Sequence, residues 1–201
     1  VQHHYAHLLA TMAEHQIDGK VLGFAFDGTG YGDDGTIWGG EVMIADHKEY
    51  ERIVTLAPFR LLGGEKAIKE PRRSALALLF ETYSLDEIVA LNVPLLQQFA
   101  KEEIHMLHRA WEKGINAPLC SSMGRLFDVV ASFADILQVS SFEGESGLVM
   151  EQYVDENITD IFHFEIKCGM INLQPMVEKR YVLVYLFMCV MTSLLPVFSV
   201  G

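Results

Sequence analysis

A glycine-rich, acidic segment follows directly after an apolar run near the start of this 201-residue chain. The apolar run Val21–Phe26 predicts a buried strand, and Asp27–Gly35 then carries four glycines. Glycines let backbone N–H groups converge on an oxyanion, and Asp27 at the strand end is placed to take a metal ion or a water. Because Asp-Gly pairs also favour tight turns, a plain hairpin is the alternative.

Two histidines lie one helical turn apart in the predicted helix Gln2–Ile17. The i, i+4 spacing puts His3 and His7 on one face, about 6 Å apart at Cβ. That is the spacing that one divalent ion needs from two imidazoles, although a pair of surface histidines is the alternative. His4 lies about 100° round the helix, so we expect it outside that ion site, free to stack or to bind a phosphate.

Further strands and helices follow along the chain. Strands are predicted at Thr36–Asp46 and Glu51–Pro58. Pro71 suits the first turn of a helix, and a second helix is predicted from Pro94 to a stop at Gly114. This mixture predicts an α/β fold.

A third helix is predicted after Ser121 or Ser122, either of which can cap it. Gly124 and Asp128 share its face away from the apolar stripe. An aspartate there can accept hydrogen bonds from ribose hydroxyls, and a glycine lets a base or sugar come close. An ordinary polar helix face is the alternative.

A second glycine turn, Glu143–Gly147, precedes a short predicted helix at Leu148–Tyr153 that carries Glu151. The turn is either a second nucleotide contact or a plain loop. The final segment, Tyr181–Val200, has no charged residue and is long enough to span a bilayer. We expect a buried terminal element there rather than a membrane span.

The charge and the cysteines narrow the partners and the compartment. The net charge is −12, from 27 acidic and 15 basic residues, which argues against a nucleic-acid partner. Phosphate binding by backbone N–H groups stays open. Cys120, Cys168 and Cys189 form no C-x-x-C pair, and the chain opens without a signal peptide, so we expect a reducing, cytoplasmic setting. The start at Val1 without methionine suggests a fragment.

Five motifs in a fixed order are more specific than any of them alone. They are Q-H-H-x-A-H at 2–7, D-G-T-G-Y-G at 27–32, W-G-G-E at 38–41, S-S-M-G-R-L-F-D at 121–128 and F-E-G at 142–144. Over residues 1–155 this order resembles the C-terminal domain of HypF, the carbamoyltransferase family that helps to mature nickel–iron hydrogenases. The core is similar to the TsaD family of tRNA threonylcarbamoyl enzymes, but the W-G-G-E motif and the Pro58-Phe59…Gly63-Gly64…Glu70-Pro71 series look like HypF.

The resemblance implies part of an actin-like (ASKHA, TsaD-like) fold, with mixed sheets, flanking helices and a nucleotide in a cleft. It implies that carbamoyl phosphate and ATP are converted elsewhere to carbamoyl-adenylate, and that the carbamoyl group then passes to the C-terminal cysteine of a HypE-like partner. The nucleophile would come from that partner, so we expect Cys120 to be buried rather than to act as a carbamoyl relay.

The resemblance also assigns residues to the site. It implies a divalent metal, zinc or iron, on His3, His7 and Asp27, and gives catalytic roles to Asp27 and His4. It places phosphate or carbamoyl oxygens and the adenosine on the following residues: Gly28, Thr29, Gly30, Gly124, Asp128, Gly144 and, more weakly, Glu151.

The chain departs from the family pattern at both ends. It lacks the family's upstream lobe, its final G-G-V-F-x-N phosphate loop and a further metal carboxylate. We therefore expect a partial TsaD-like carbamoyltransferase domain over residues 1–180, an atypical apolar tail over 181–201, and an incomplete active site. The alternatives are a TsaD-type enzyme acting on tRNA, and an inactive metal- and nucleotide-binding remnant with a membrane-associating tail.

Overall fold

A long antiparallel hairpin forms the centre of the fold. In the computed structural model, which describes residues 1–154, 165–167 and 170–172, β1 (Val21–Tyr31) pairs with β2 (Ile37–Ala45). The opposite edge of β2 is shared by two strands, one antiparallel and one parallel. The resulting mixed sheet has seven strands, in the order β4-β5-β2-β3-β7-β6 with β1 beside β2. The remaining strands are β3 (Tyr50–Leu56), β4 (Phe59–Arg60), β5 (Leu119–Cys120), β6 (Glu165–Lys167) and β7 (Met170–Asn172).

Seven α-helices accompany this sheet in the described part of the chain. Two of them build the main apolar core: α3 packs along α6, with Leu76, Leu79 and Val129 fully buried between them. Burial of such side chains is the main favourable term in folding. The helices are α1 (His3–Glu14), α2 (Glu65–Lys69), α3 (Pro71–Thr82), α4 (Leu85–Ala90), α5 (Lys101–Glu112), α6 (Met123–Phe133) and α7 (Glu145–Glu151).

The mixed α/β class expected from the sequence is confirmed, but two predicted boundaries are wrong. The single glycine loop predicted at Asp27–Gly35 is divided, because the first five residues continue β1 and only 32–35 form the hairpin turn. The helix predicted from Pro94 to Gly114 is interrupted. A short 3-10 turn, Pro94–Gln98, is followed by Phe99, which is extended and buried, so α5 begins only at Lys101.

The other predicted helices lie where they were expected, with shifted ends. Pro71 is the first residue of α3, and the Ser122 side chain caps α6. The last helix begins at Glu145, three residues before the predicted Leu148. No described helix is long and apolar enough to cross a membrane. The predicted tail over 181–201 and its boundary at 180 lie outside the described residues.

Candidate functional site

A wide bulge in β1 is the centre of the candidate site. Phe26 pairs with Gly40 and Gly30 pairs with Trp38, so the three β1 residues 27–29 lie opposite Gly39 alone. A Cβ at Gly39 would lie 2.4 Å from the Asp27 carbonyl oxygen, so only glycine allows the strands to approach this closely. Bulges of this kind re-aim side chains and are frequent beside active sites.

The start of α6 is tied to this bulge. The Ser122 hydroxyl accepts the N–H of Arg125 at 3.1 Å and so caps the helix. The same hydroxyl lies 2.8 Å from the Asp27 carbonyl oxygen and 2.6 Å from that of Gly28, to which it donates. One side chain therefore fixes both the helix start and the bulge.

A buried carboxylate, Glu41, holds the other side of the bulge. One of its oxygens accepts the N–H groups of Gly39 at 2.6 Å and Gly40 at 2.5 Å. The other accepts the hydroxyls of Ser121 at 2.5 Å and Thr55 at 2.9 Å. Glu41 is fully buried, so these four bonds replace the water that the carboxylate loses. From the sequence, Glu41 was recognisable only as the last residue of the W-G-G-E motif, without a predicted role.

The two predicted metal-binding histidines meet Asp27 on the exposed side of the bulge. His3 Nε2 lies 2.9 Å from Asp27 Oδ2 and 3.2 Å from His7 Nε2. One ligand atom from each of the three residues lies within 4.8 Å of the others. The second oxygen of Asp27 accepts the N–H of Gly28 at 2.6 Å, which orients the carboxylate. Two imidazole nitrogens and a carboxylate oxygen at these separations fit a divalent ion such as zinc.

His4 lies behind this cluster rather than in it. Its side chain is fully buried and stacks on Trp38 with ring centroids 6.1 Å apart. Its Nε2 lies 3.6 Å from Asp27 Oδ2 and has no hydrogen-bond partner in the described structure. Burial lowers the pKa of His4, partly opposed by the charge of Asp27, so the ring is neutral at pH 7. Gly30 leaves space for this ring, since a Cβ there would lie 2.2 Å from His4 Cε1.

On the far side of the bulge is a cavity of about 390 Å³, within the size range of small-molecule sites. The cavity brings together four of the residues predicted to contact the nucleotide: Gly28, Gly124, Asp128 and Gly144. The other three lie elsewhere. Thr29 and Gly30 lie in β1 outside the cavity lining, and Glu151 is exposed at the last residue of α7.

Gly124 is required by packing against the bulge. A Cβ at this position would lie 2.6 Å from Gly28 Cα and 3.3 Å from the Asp27 carbonyl oxygen. The first turn of α6 therefore touches the β1 backbone directly, which sets the floor of the cavity.

Asp128 is only 4% exposed, so the face of α6 that carries it is covered rather than open to water. Its Oδ1 accepts the Ser146 hydroxyl at 2.5 Å, and its Oδ2 lies 2.8 Å from Arg125 Nη1. Burial raises the pKa of Asp128 to about 6, against the lowering effects of Arg125 and Ser146. Neither Arg125 nor Ser146 was predicted from the sequence as a site residue. The i, i+3 spacing of Arg125 and Asp128 was a visible signal, but the contact with α7 was not.

Cys120 is buried, as predicted from the sequence. Burial raises the pKa of its thiol to about 11. A thiol that stays protonated at pH 7 is a poor nucleophile.

The chain is similar in sequence to proteins of one known family. Residues 23–184 match the family model described as "Carbamoyltransferase, Kae1-like Domain, second subdomain". The carbamoyltransferase HypF of Synechocystis is 42% identical over 180 residues, which are 81% of this chain and 23% of that protein.

Two solved structures agree with the sequence matches. A crystal structure of full-length HypF in the phosphate- and nucleotide-bound form aligns with a TM-score of 0.78 and 36% identity, over 86% of this chain and 27% of that one. The structure of HypF from T. kodakarensis aligns over the whole chain and 26% of its own, with a TM-score of 0.73 and 27% identity.

The fold and its matches define an ASKHA-related domain of the Kae1-like type. The chain belongs to the HypF carbamoyltransferase family, as its motifs predicted. It spans about a quarter of the length of the HypF proteins named above.

Proposed function

We propose that this chain supplies the metal ligands and the nucleotide-facing wall of a carbamoyl-transfer site. In this proposal the carbamoyl group passes from carbamoyl-adenylate, made from carbamoyl phosphate and ATP, to the C-terminal cysteine of a HypE-like protein. The observation that carries the proposal is the β1 bulge, because Asp27 belongs both to the histidine cluster and to the cavity lining. A metal ion held by the histidine cluster and a nucleotide in the cavity would therefore both lie next to Asp27.

The donor set suits the metal that the family resemblance implies. His3, His7 and Asp27 would hold zinc or iron, and the bound ion would polarise a carbonyl or phosphoryl oxygen. The buried, neutral His4 lies beside Asp27 and can limit its movement.

The cavity suits a nucleotide. Gly28 and Gly124 leave the wall free of side chains where β1 meets α6. The Ser122 hydroxyl accepts the N–H of Arg125, but the N–H groups before it in the first turn of α6 have no partner within the helix, and such groups favour phosphate. Asp128 offers carboxylate oxygens for ribose hydroxyls, and Gly144, with a positive φ of 82°, turns the chain into α7 at the cavity edge.

The nucleophile in this proposal is the acceptor's thiolate. Its sulfur adds to the carbamoyl carbon, a C–S bond forms, and the bond from that carbon to the phosphate oxygen breaks to release AMP. The high pKa of the Cys120 thiol makes it unsuited to a relay between donor and acceptor.

Calorimetric titration of the 201-residue chain with AMP, with and without Zn²⁺, tests the site. We expect AMP binding that strengthens with Zn²⁺, and the double variant His3→Ala/His7→Ala should lose the zinc effect. An absence of AMP binding with and without metal would overturn the site assignment.

A transfer assay tests the reaction. The chain, carbamoyl-adenylate and a HypE-like acceptor are mixed, and the mass of the acceptor's C-terminal peptide is followed. Slow carbamoylation of that cysteine is expected, because the sequence predicts an incomplete active site. AMP binding without transfer would support the inactive remnant instead, and modification of tRNA supplied in place of the protein would support the TsaD-type alternative, although the relatives named above are HypF proteins.

A further inference from the structure

Gln2 opens the Q-H-H-x-A-H motif, and its side chain links the start of α1 to the end of β1. Its Oε1 accepts the N–H of Tyr5 at 2.9 Å and so caps the helix. Its Nε2 donates to the carbonyl oxygen of Tyr31, the last residue of β1, at 3.2 Å. Both backbone partners require the same orientation of the amide, because an N–H only donates and a carbonyl oxygen only accepts. The amide nitrogen keeps a second N–H for a further acceptor.

The acceptor of this second N–H is the buried ring of His4. Gln2 Nε2 lies 3.2 Å from His4 Nδ1. Because the amide nitrogen only donates, His4 Nδ1 must accept and therefore carries no proton. The ring is then neutral, and its proton lies on Nε2. If the ring were turned over, a carbon would face the Gln2 amide and this hydrogen bond would be lost, so Gln2 fixes both the orientation of the ring and the position of its proton.

The Nε2–H of His4 is a buried donor without a hydrogen-bond partner in the described part of the chain. It lies 3.6 Å from Asp27 Oδ2, beyond hydrogen-bond distance, whereas His3 Nε2 lies 2.9 Å from the same oxygen. A nitrogen that binds a metal ion uses its lone pair and carries no proton. With His3 and His7 as metal ligands, His4 is therefore the imidazole of the three that can still donate to Asp27. Because an unpartnered buried N–H is destabilising, a small approach of these two groups is favoured.

We propose that Gln2 holds His4 in its Nε2–H form, so that this N–H orients the Asp27 carboxylate at the proposed metal site. Gln2 and His4 are then positioning residues that act through Asp27. Metal ligands are commonly oriented by a hydrogen bond from a residue behind them, and loss of that residue typically lowers metal affinity about 10- to 100-fold. The inference rests on the proposed function and adds Gln2 to it.

The same hydrogen bonds argue against His4 as a fourth metal ligand. Ligation by His4 Nε2 would move the ring proton to Nδ1, and this N–H would then face the N–H of Gln2 at 3.2 Å. Two donors cannot bond to each other. Turning the Gln2 amide to present its oxygen would break the bonds to Tyr5 and Tyr31 instead. His4 as a donor costs none of these contacts.

Nitrogen-15 NMR of the metal-free 201-residue chain tests the role of Gln2, because the chemical shifts of ring nitrogens distinguish protonated from unprotonated ones. We expect His4 Nδ1 to be unprotonated and Nε2 to be protonated. In Gln2→Glu the new carboxylate only accepts, so His4 Nδ1 should become protonated, while an oxygen stays available to cap Tyr5. Gln97→Glu is the matched control, because it adds the same charge at an exposed residue of the 3-10 turn. It should leave the His4 signals unchanged.

Zinc titration tests the effect on Asp27. His4→Phe keeps a ring to stack on Trp38 but has no N–H, so the Kd for Zn²⁺ should rise about 10- to 100-fold. His4→Gln carries an amide N–H and should recover part of this loss. His105→Phe is the control, because His105 is exposed on α5, and it should leave the Kd unchanged. The NMR measurement on the wild type keeps the test decisive even if a variant of His4 does not fold.

The outcomes separate this inference from the proposal on which it rests. A protonated His4 Nδ1 in the wild type, or His4 signals that Gln2→Glu leaves unchanged, would overturn the role of Gln2 alone. Wild-type zinc affinity in His4→Phe would overturn the positioning of Asp27. A loss of affinity that His4→Gln does not reduce would overturn it too, because packing alone would explain that loss. A wild-type chain that binds no Zn²⁺ would overturn the proposed metal site itself.

Discussion

The two sides of the β1 bulge are built in opposite ways. On the side of the proposed metal site, His3 and His7 are exposed, come from one helical turn and need only Asp27 from elsewhere. On the cavity side, Asp128 is buried, and α6, α7 and the bulge must all pack together to place Arg125, Asp128 and Ser146. A set of candidate metal ligands can therefore be placed largely by one exposed helical turn. The buried polar residues of the cavity depend instead on the packing of elements that are far apart in the sequence.

The largest expected effect comes from removing Glu41, the buried carboxylate that supports the bulge between the two sides. Glu41→Ala removes the acceptor of four hydrogen bonds and leaves buried N–H and hydroxyl groups unsatisfied. We expect a loss of about 3–5 kcal/mol in the free energy of unfolding, measured in urea. Glu49→Ala is the control, because Glu49 is 73% exposed and its 3.4 Å pair with Lys20 contributes less than about 1 kcal/mol. A near-native stability of Glu41→Ala would contradict the view that this carboxylate supports the bulge.

The second prediction separates the two sides. His3→Ala/His7→Ala removes two of three clustered ligand groups, so zinc affinity should fall at least about a hundredfold, more than the loss of a supporting residue causes. The unfolding free energy should change little, because both histidines are exposed. Zinc content after dialysis, measured by mass spectrometry, checks this. His47→Ala is the matched control, since His47 also faces a carboxylate, Asp18 at 3.3 Å, outside the cluster. Unchanged zinc content in the double variant would refute the ligand assignment.

The same contrast explains what could be predicted from the sequence. The spacing of His3 and His7 is a helix property, and helices are the most regular element, so their closeness followed from the sequence alone. Their closeness to Asp27 followed only from the family resemblance, because strand β1 and helix α1 meet through tertiary packing.

The cavity side was harder to predict for a physical reason. Helical periodicity placed Gly124 and Asp128 on one face of α6, but periodicity cannot say whether a polar face meets water or another helix. Here α7 packs against α6, and the Ser146 hydroxyl donates a hydrogen bond to Asp128 Oδ1. The extension of β1 through the first part of the glycine segment 27–35 also depends on tertiary pairing. Gly30 pairs with Trp38 of β2, so the strand continues past residues that by themselves favour turns.

The third prediction sharpens the packing requirement of the cavity floor. Gly124→Ala forces a Cβ against the backbone of Gly28, at 2.6 Å before relaxation, and should cost about 1–3 kcal/mol in the free energy of unfolding. Gly147→Ala is a matched control in the same cavity lining, because its Cβ would meet only the Phe127 ring at 3.7 Å. Since alanine favours helix over glycine, that control should be neutral or more stable by up to about 1 kcal/mol. Equal effects of the two variants in chemical denaturation would contradict the close approach of α6 to β1.

The smallest expected effect is at Cys120, which is as buried as the cavity wall but lies outside it. With its pKa raised to about 11, the native thiol is protonated at pH 8, so iodoacetamide should label the Cys120 peptide only after denaturation. Cys120→Ala should leave carbamoyl transfer unchanged and alter stability by about 1 kcal/mol at most, because little volume is lost. Rapid native labelling of Cys120, or loss of transfer in Cys120→Ala with normal AMP binding, would restore a carbamoyl relay. In that case, the burial of a side chain near the cavity would not be enough to exclude it from the reaction.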